Sequence, residues 1–109
     1  MLRKMNDSEE RLLRRLASLA VGVEFSDSEV SSLLVEPMND GGMGSLRLHP
    51  DSQEKELRKL GKRIAELQFR DIDGVVVIAS LNLDQNGSLF ELDIWKTDFS
   101  ELRQLPEDF

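Results

Sequence analysis

A chain of 109 residues, 39% of them hydrophobic and 32% charged, has the size and composition of one globular domain with one core. It has no cysteine, which excludes disulfides and thiolate metal sites, and no apolar run near the roughly 18 residues that a membrane helix requires. The net charge of −7 is matched by residues 71–109 alone, with nine acidic and two basic groups; such a surface repels nucleic-acid phosphate and favours basic partners.

The N-terminus is basic and then acidic, without the apolar stretch of a signal peptide, so the expected location is the cytoplasm. A first helix is predicted, with Asp7 as cap and Glu10 at capping-box spacing. Leu12, Leu13, Leu16, Leu19 and Ala20 recur on one face, and Arg11, Arg14 and Arg15 occupy the other. Ser26–Glu29 reads as a turn or one short helical turn. Residues 32–36 are rich in apolar side chains, and Pro37 limits them to an edge or an ending strand. The stretch "MNDGGMGSL" (38–46) brings Asp40, Gly41, Gly42 and Gly44 together, and "SLRL" after it alternates. A hairpin with the glycine loop at its tip follows.

Asp51 and Glu54 repeat the capping spacing, so a second short helix is expected, ending at Gly61 with Arg58, Lys59 and Lys62 near its end. Alternation of Ala65, Leu67 and Phe69 with Glu66, Gln68 and Arg70 predicts a strand over 63–70. Val75–Leu83 and Ser88–Lys96 are two further strands around Asn86-Gly87, the strongest short hairpin signal. A two-residue turn there sets Leu83 opposite Phe90, Leu81 opposite Leu92 and Ala79 opposite Ile94. A three-residue loop at 72–74 sets Phe69 opposite Val77 and Leu67 opposite Ala79, so both registers keep one apolar face. The tail offers one short helical turn, with Phe99, Leu102 and Leu105 facing the sheet. The expected fold is therefore α+β. An N-terminal helix and a second short helix pack on a roughly five-stranded antiparallel sheet, a hairpin plus a three-stranded meander, in a single domain over 1–109.

The same register orders the opposite face. Glu66, Ser80 and Asp93 form one row; Gln68, Ile78 and Trp95 the next; Ile64, Asn82 and Glu91 a third. This is an acidic patch beside the only tryptophan, and Glu66, Asn82, Glu91, Asp93 and Trp95 are the candidate binding residues. The alternative is that a helix or the first hairpin covers Trp95 in a second core.

No catalytic motif emerges. A phosphate-binding loop needs lysine and a hydroxyl residue after its last glycine, opening a helix; here Ser45, Leu46 and Arg47 follow in strand, and Asp40 would repel a phosphate. The spacing Asn82, Asp84, Asn86, Gly87, Asp93 resembles a calcium loop without its acidic first ligand, its final glutamate or its flanking helices. His49, the only histidine, reads as a loop residue before Pro50. No cofactor, metal or catalytic residue is assigned. The alternative is a small hydrolase or metal-dependent enzyme near the glycine-rich loop, with Asp40, His49, Glu91 and Asp93 as its groups.

"MNDGGMGSL" and "LFELDIWKTDFSEL" (89–102), with "DIDGV" (71–75) and "SLNLDQNG" (80–87), resemble a family of small bacterial proteins of unknown function. The resemblance implies a bacterial cytoplasmic stand-alone domain and brings no activity or cofactor with it. Small acidic proteins of this kind include immunity proteins, which neutralise a toxin by covering it. The expected function is a non-catalytic protein-binding module using the acidic sheet face, with a basic protein as partner and neither nucleic acid nor membrane. A homo-oligomer that buries this face is a further reading.

Overall fold

A computed structural model describes residues 1–50 and 57–108. The elements in chain order are β1 (Arg3–Lys4), α1 (Asp7–Leu19), α2 (Asp27–Ser31), β2 (Leu34–Pro37), β3 (Leu46–His49), β4 (Leu60–Arg70), β5 (Val76–Asp84) and β6 (Leu89–Lys96). The six strands form one antiparallel sheet in the order β1-β2-β3-β6-β5-β4. The fold is α+β as expected. The sixth strand is β1, a two-residue pairing of Arg3 with Val35 and Lys4 with Leu34, too short to leave a periodic pattern in sequence.

α1 starts one residue earlier than its sequence signal. Asn6 caps it, accepting from the Glu9 amide at 2.9 Å, and the Glu9 carboxylate accepts in return from the Asn6 amide at 2.9 Å. Both spacings satisfy the capping box, and tertiary contacts choose between them. Arg3, positioned by β1, donates to both oxygens of Glu9 at 2.8 and 2.9 Å, whereas Glu10 pairs with Arg14 along the helix. Leu12, Leu13 and Leu16 are fully buried and Leu19 is half-exposed, so the apolar stripe ends before the helix does. α2, capped reciprocally by Ser26 and Glu29, inserts Val30 into the same core. The Asp51–Glu54 capping signal lies outside the described residues. The end assigned to that helix is not helical: Leu57 has φ +60°, and Leu60 and Gly61 already belong to β4.

The glycine-tipped hairpin forms, Pro37 opposite Leu46 and Leu34 opposite His49. The meander keeps its predicted register through Phe69–Val77, Leu67–Ala79 and Ala65–Leu81, with Asp71 and Val75 closing the three-residue loop. Between β5 and β6, Ala79–Ile94 and Leu81–Leu92 also pair as predicted. Leu83, however, faces Leu89 and not Phe90. A two-residue type I′ turn needs positive φ at both central residues, but only Gly87 has it, at +84°. The loop instead has three residues, closed by the Asp84 amide on the Ser88 carbonyl at 2.8 Å. The extra residue reappears as a bulge that sets Phe90, still buried at 4% exposure, outside the main core cluster.

One core lies between the helices and the sheet, built from α1, Val30 and the inward side chains of β2, β3, β5 and β6. Residues 97–108 contain no helical turn, contrary to expectation. They run as an extended strap that packs Leu102 and Leu105 on the core and leaves Phe99 70% exposed.

Candidate functional site

Strand alternation divides the sheet into a covered and an open face. Leu46, Leu48, Leu92 and Ile94 point to the helices; Arg47, Glu91, Asp93 and Trp95 point away. Glu66, Ser80 and Asp93 stand in one row and Gln68, Ile78 and Trp95 in the next, as the sequence register requires. The third row is corrected. A bulge between Arg63 and Ala65 turns Ile64 into the core and sets Arg63 opposite Asn82, so the row reads Arg63, Asn82, Glu91, Arg47. The face is consequently mixed in charge. Arg63 pairs with Glu66 at 2.8 Å, and Arg47 approaches Glu91 at 3.9 Å. Of these three carboxylates, Asp93 alone has no cation among the described residues; it accepts weakly from the Ser45 hydroxyl at 3.4 Å.

Burial raises the Asp93 carboxyl above its ordinary range, the Asp40 charge raises it further, and Ser45 opposes the shift. Glu91 is raised by burial and by Asp93, against Arg47 and Asn82. Two neighbouring acids two residues apart are thus partly desolvated together on an open surface. Trp95 is 39% exposed, and neither helix covers it. Its ring meets that of Phe99 at a centroid distance of 6.0 Å and a tilt of 53°. Phe90 joins this face as well, lying under the guanidinium of Arg47 at 4.3 Å and that of Arg58 at 5.1 Å.

The glycine loop has its own anion. The Asp40 carboxylate accepts from the Met43 amide at 3.1 Å and the Ser45 amide at 2.9 Å, and the amides, including that of Gly44, hold it below the ordinary range despite burial. The donors that a phosphate would need are therefore turned inward. Gly41, Gly42 and Gly44 all have positive φ, and the loop receives the C-terminal strap: the Leu102 amide donates to the Gly42 carbonyl at 3.1 Å. At Gly44, φ is +98° and a Cβ would lie 3.3 Å from Leu102 Cδ2. Ser45 then extends β3 with its side chain, its hydroxyl accepting from the Ile94 amide at 2.9 Å and sharing its one proton between the Ile94 carbonyl at 3.2 Å and Asp93.

Two buried ion clusters were not singled out from sequence. Lys96, fully buried at the end of β6, donates to Asp71 at 2.9 Å, Asp73 at 2.5 Å and the Glu101 carbonyl at 3.0 Å. Asp71 also accepts from the amides of Ile72, Arg103 and Gln104. Burial would raise its pKa; the Arg103 amide and Lys96, with the other amides, outweigh this and hold it at about 2. The alternation Leu92, Ile94, Lys96 was the available signal, because it puts a lysine on the core face. In the second cluster Arg58 donates to Asp84 at 2.9 Å, to the Leu48 carbonyl at 2.7 Å and to the Leu89 carbonyl. Asp84 also takes the Asn86 and Ser88 amides, so of the residues spaced like a calcium loop Asp84 is committed to the turn, while Asn82 and Asp93 stand on the strands.

His49 lies on β3 with its Nε2 at 3.7 Å from Glu36, away from the Ser45–Asp93 contact. No group of three His, Asp or Glu side chains is placed to hold a metal among the described residues. No helix among them is long and apolar enough to cross a membrane.

A small α+β domain is thus defined by one antiparallel sheet, helices and strap on one side and an open polar–aromatic face on the other. The chain belongs to the family described as a domain of unknown function, DUF6984, whose model matches residues 2–106. No curated protein and no solved structure matches it.

Proposed function

We propose that this domain is a bacterial, cytoplasmic, non-catalytic protein-binding module, immunity-like in that an acidic surface covers a basic protein partner. The observation that carries this reading is the open face of β6, where Trp95 stands partly exposed beside two half-buried carboxylates, Glu91 and Asp93. Exposed aromatics next to desolvated charge are where binding energy concentrates in interfaces. The net charge of −7 adds long-range attraction for a basic partner. The hydrolase reading gains no such support, because Asp40 is occupied by its own loop and His49 lies at the other end of β3, away from Ser45 and Asp93.

Affinity capture from a bacterial lysate tests this. The expected result is a basic protein retained at low salt, released at high salt, and lost with Trp95→Ala. Capture that is unaffected by Trp95→Ala and by salt would contradict the reading.

A further inference from the structure

We propose that Trp95, Phe99 and Asp93 form the seat for one arginine side chain of the protein partner; this rests on the binding-module reading above. The chain contains the completed pattern twice. Arg47 lies over the Phe90 ring and approaches Glu91 at 3.9 Å, and Arg58 lies near the same ring and pairs with Asp84 at 2.9 Å. In each case a guanidinium lies near both an aromatic ring and a carboxylate. At Trp95 and Asp93 the ring and the carboxylate are present and the cation is absent among the described residues.

Geometry supports the match. Asp93 and Trp95 are two residues apart on β6, so their side chains rise from the same face roughly 7 Å apart. A planar guanidinium can lie on an indole and direct its N–H fork at a carboxylate beside it, which the compact ammonium of lysine does less well. Phe99 widens the aromatic surface. Its backbone has φ +64°, a conformation that L side chains avoid, yet the ring is 70% exposed and so gains little from burial. The preceding turn fixes it there: the Phe99 amide donates to the Lys96 carbonyl at 2.8 Å, and Asp98 accepts from the Ser100 amide at 3.0 Å and hydroxyl at 2.6 Å. Backbone strain that presents an exposed ring beside the only tryptophan fits a contact made with another molecule.

The test uses the whole chain and N-acetylarginine amide, with the lysine analogue and the neutral citrulline analogue as comparisons at constant ionic strength. The readout is the Trp95 indole N–H resonance. Arginine is expected to move it saturably, lysine more weakly and citrulline not at all. Asp93→Asn should weaken the arginine response about tenfold. Phe99→Gly, which suits the positive φ, should weaken it about threefold without lowering the melting temperature. An equal response to citrulline or lysine, or arginine binding unchanged in Asp93→Asn or Phe99→Gly, overturns the proposal. If capture of the partner is lost with Trp95→Ala but kept in both of these variants, the arginine seat falls and the binding module stands.

Discussion

Asp93 illustrates how a side chain can be kept against its own contribution to stability. Its carboxyl is shifted upward by burial, so ionising it is harder in the folded chain than in the unfolded one. That penalty is fully present above the raised pKa and disappears below the ordinary aspartate range, where both states are protonated. Asp93→Asn is therefore expected to raise the melting temperature at neutral pH, and the gain should vanish near pH 3; a variant no more stable at neutral pH would show that Asp93 is well solvated. Gly44 carries the opposite kind of constraint. Gly44→Ala combines a φ of +98° with a methyl group 3.3 Å from Leu102, and should destabilise by about 1–3 kcal/mol while loosening the strap, measured by denaturant titration and amide exchange at Leu102. The glycines could be read in sequence as turn residues. Their partner could not, because nothing local in residues 38–46 refers to residues 101–102.

At the scale of elements, period-2 alternation made β4, β5 and β6 and most of their register legible, since a one-residue slip would have exposed the whole apolar set. The misreadings fall where local signals compete with tertiary ones. Gly61 looked like a helix stop, but it is glycine because a Cβ there would lie 2.3 Å from the Asp84 carbonyl oxygen across the β4–β5 pairing. The tail looked like a helical turn, but its amides at Arg103 and Gln104 are claimed by Asp71, 32 and 33 residues earlier in the chain. Asp71 therefore couples the β4–β5 loop, β6 and the strap. Its folded pKa of about 2 lies below the unfolded value, so it adds stability above about pH 4 that is lost as the pH falls toward 2. Asp71→Asn should cost about 2 kcal/mol at neutral pH, and the difference from the parent chain should shrink through that window. A difference constant from pH 6 to pH 2 would contradict the role given to its charge.

For the whole molecule, the distribution of charge matters more than its sum. Arg63, Arg47, Arg58 and Lys96 each lie within 4 Å of a carboxylate, whereas Asp93, two residues before Trp95 on β6, has no cation among the described residues. The candidate residues were identifiable from sequence because register alone assigns them to one face. The neutralising arginines were not, because bulges at β4 and β6 decide which way Arg63 and Phe90 point. Since Trp95 is the only tryptophan, its fluorescence reports on this face without interference. The most direct measurement is quenching of that emission by caesium, iodide and neutral acrylamide. An open, anionic face predicts ready quenching by acrylamide, stronger quenching by caesium than by iodide, and a smaller caesium preference in Asp93→Asn. Shielding from all three, or a preference for iodide, would mean that the face is covered or not anionic, and would contradict the account.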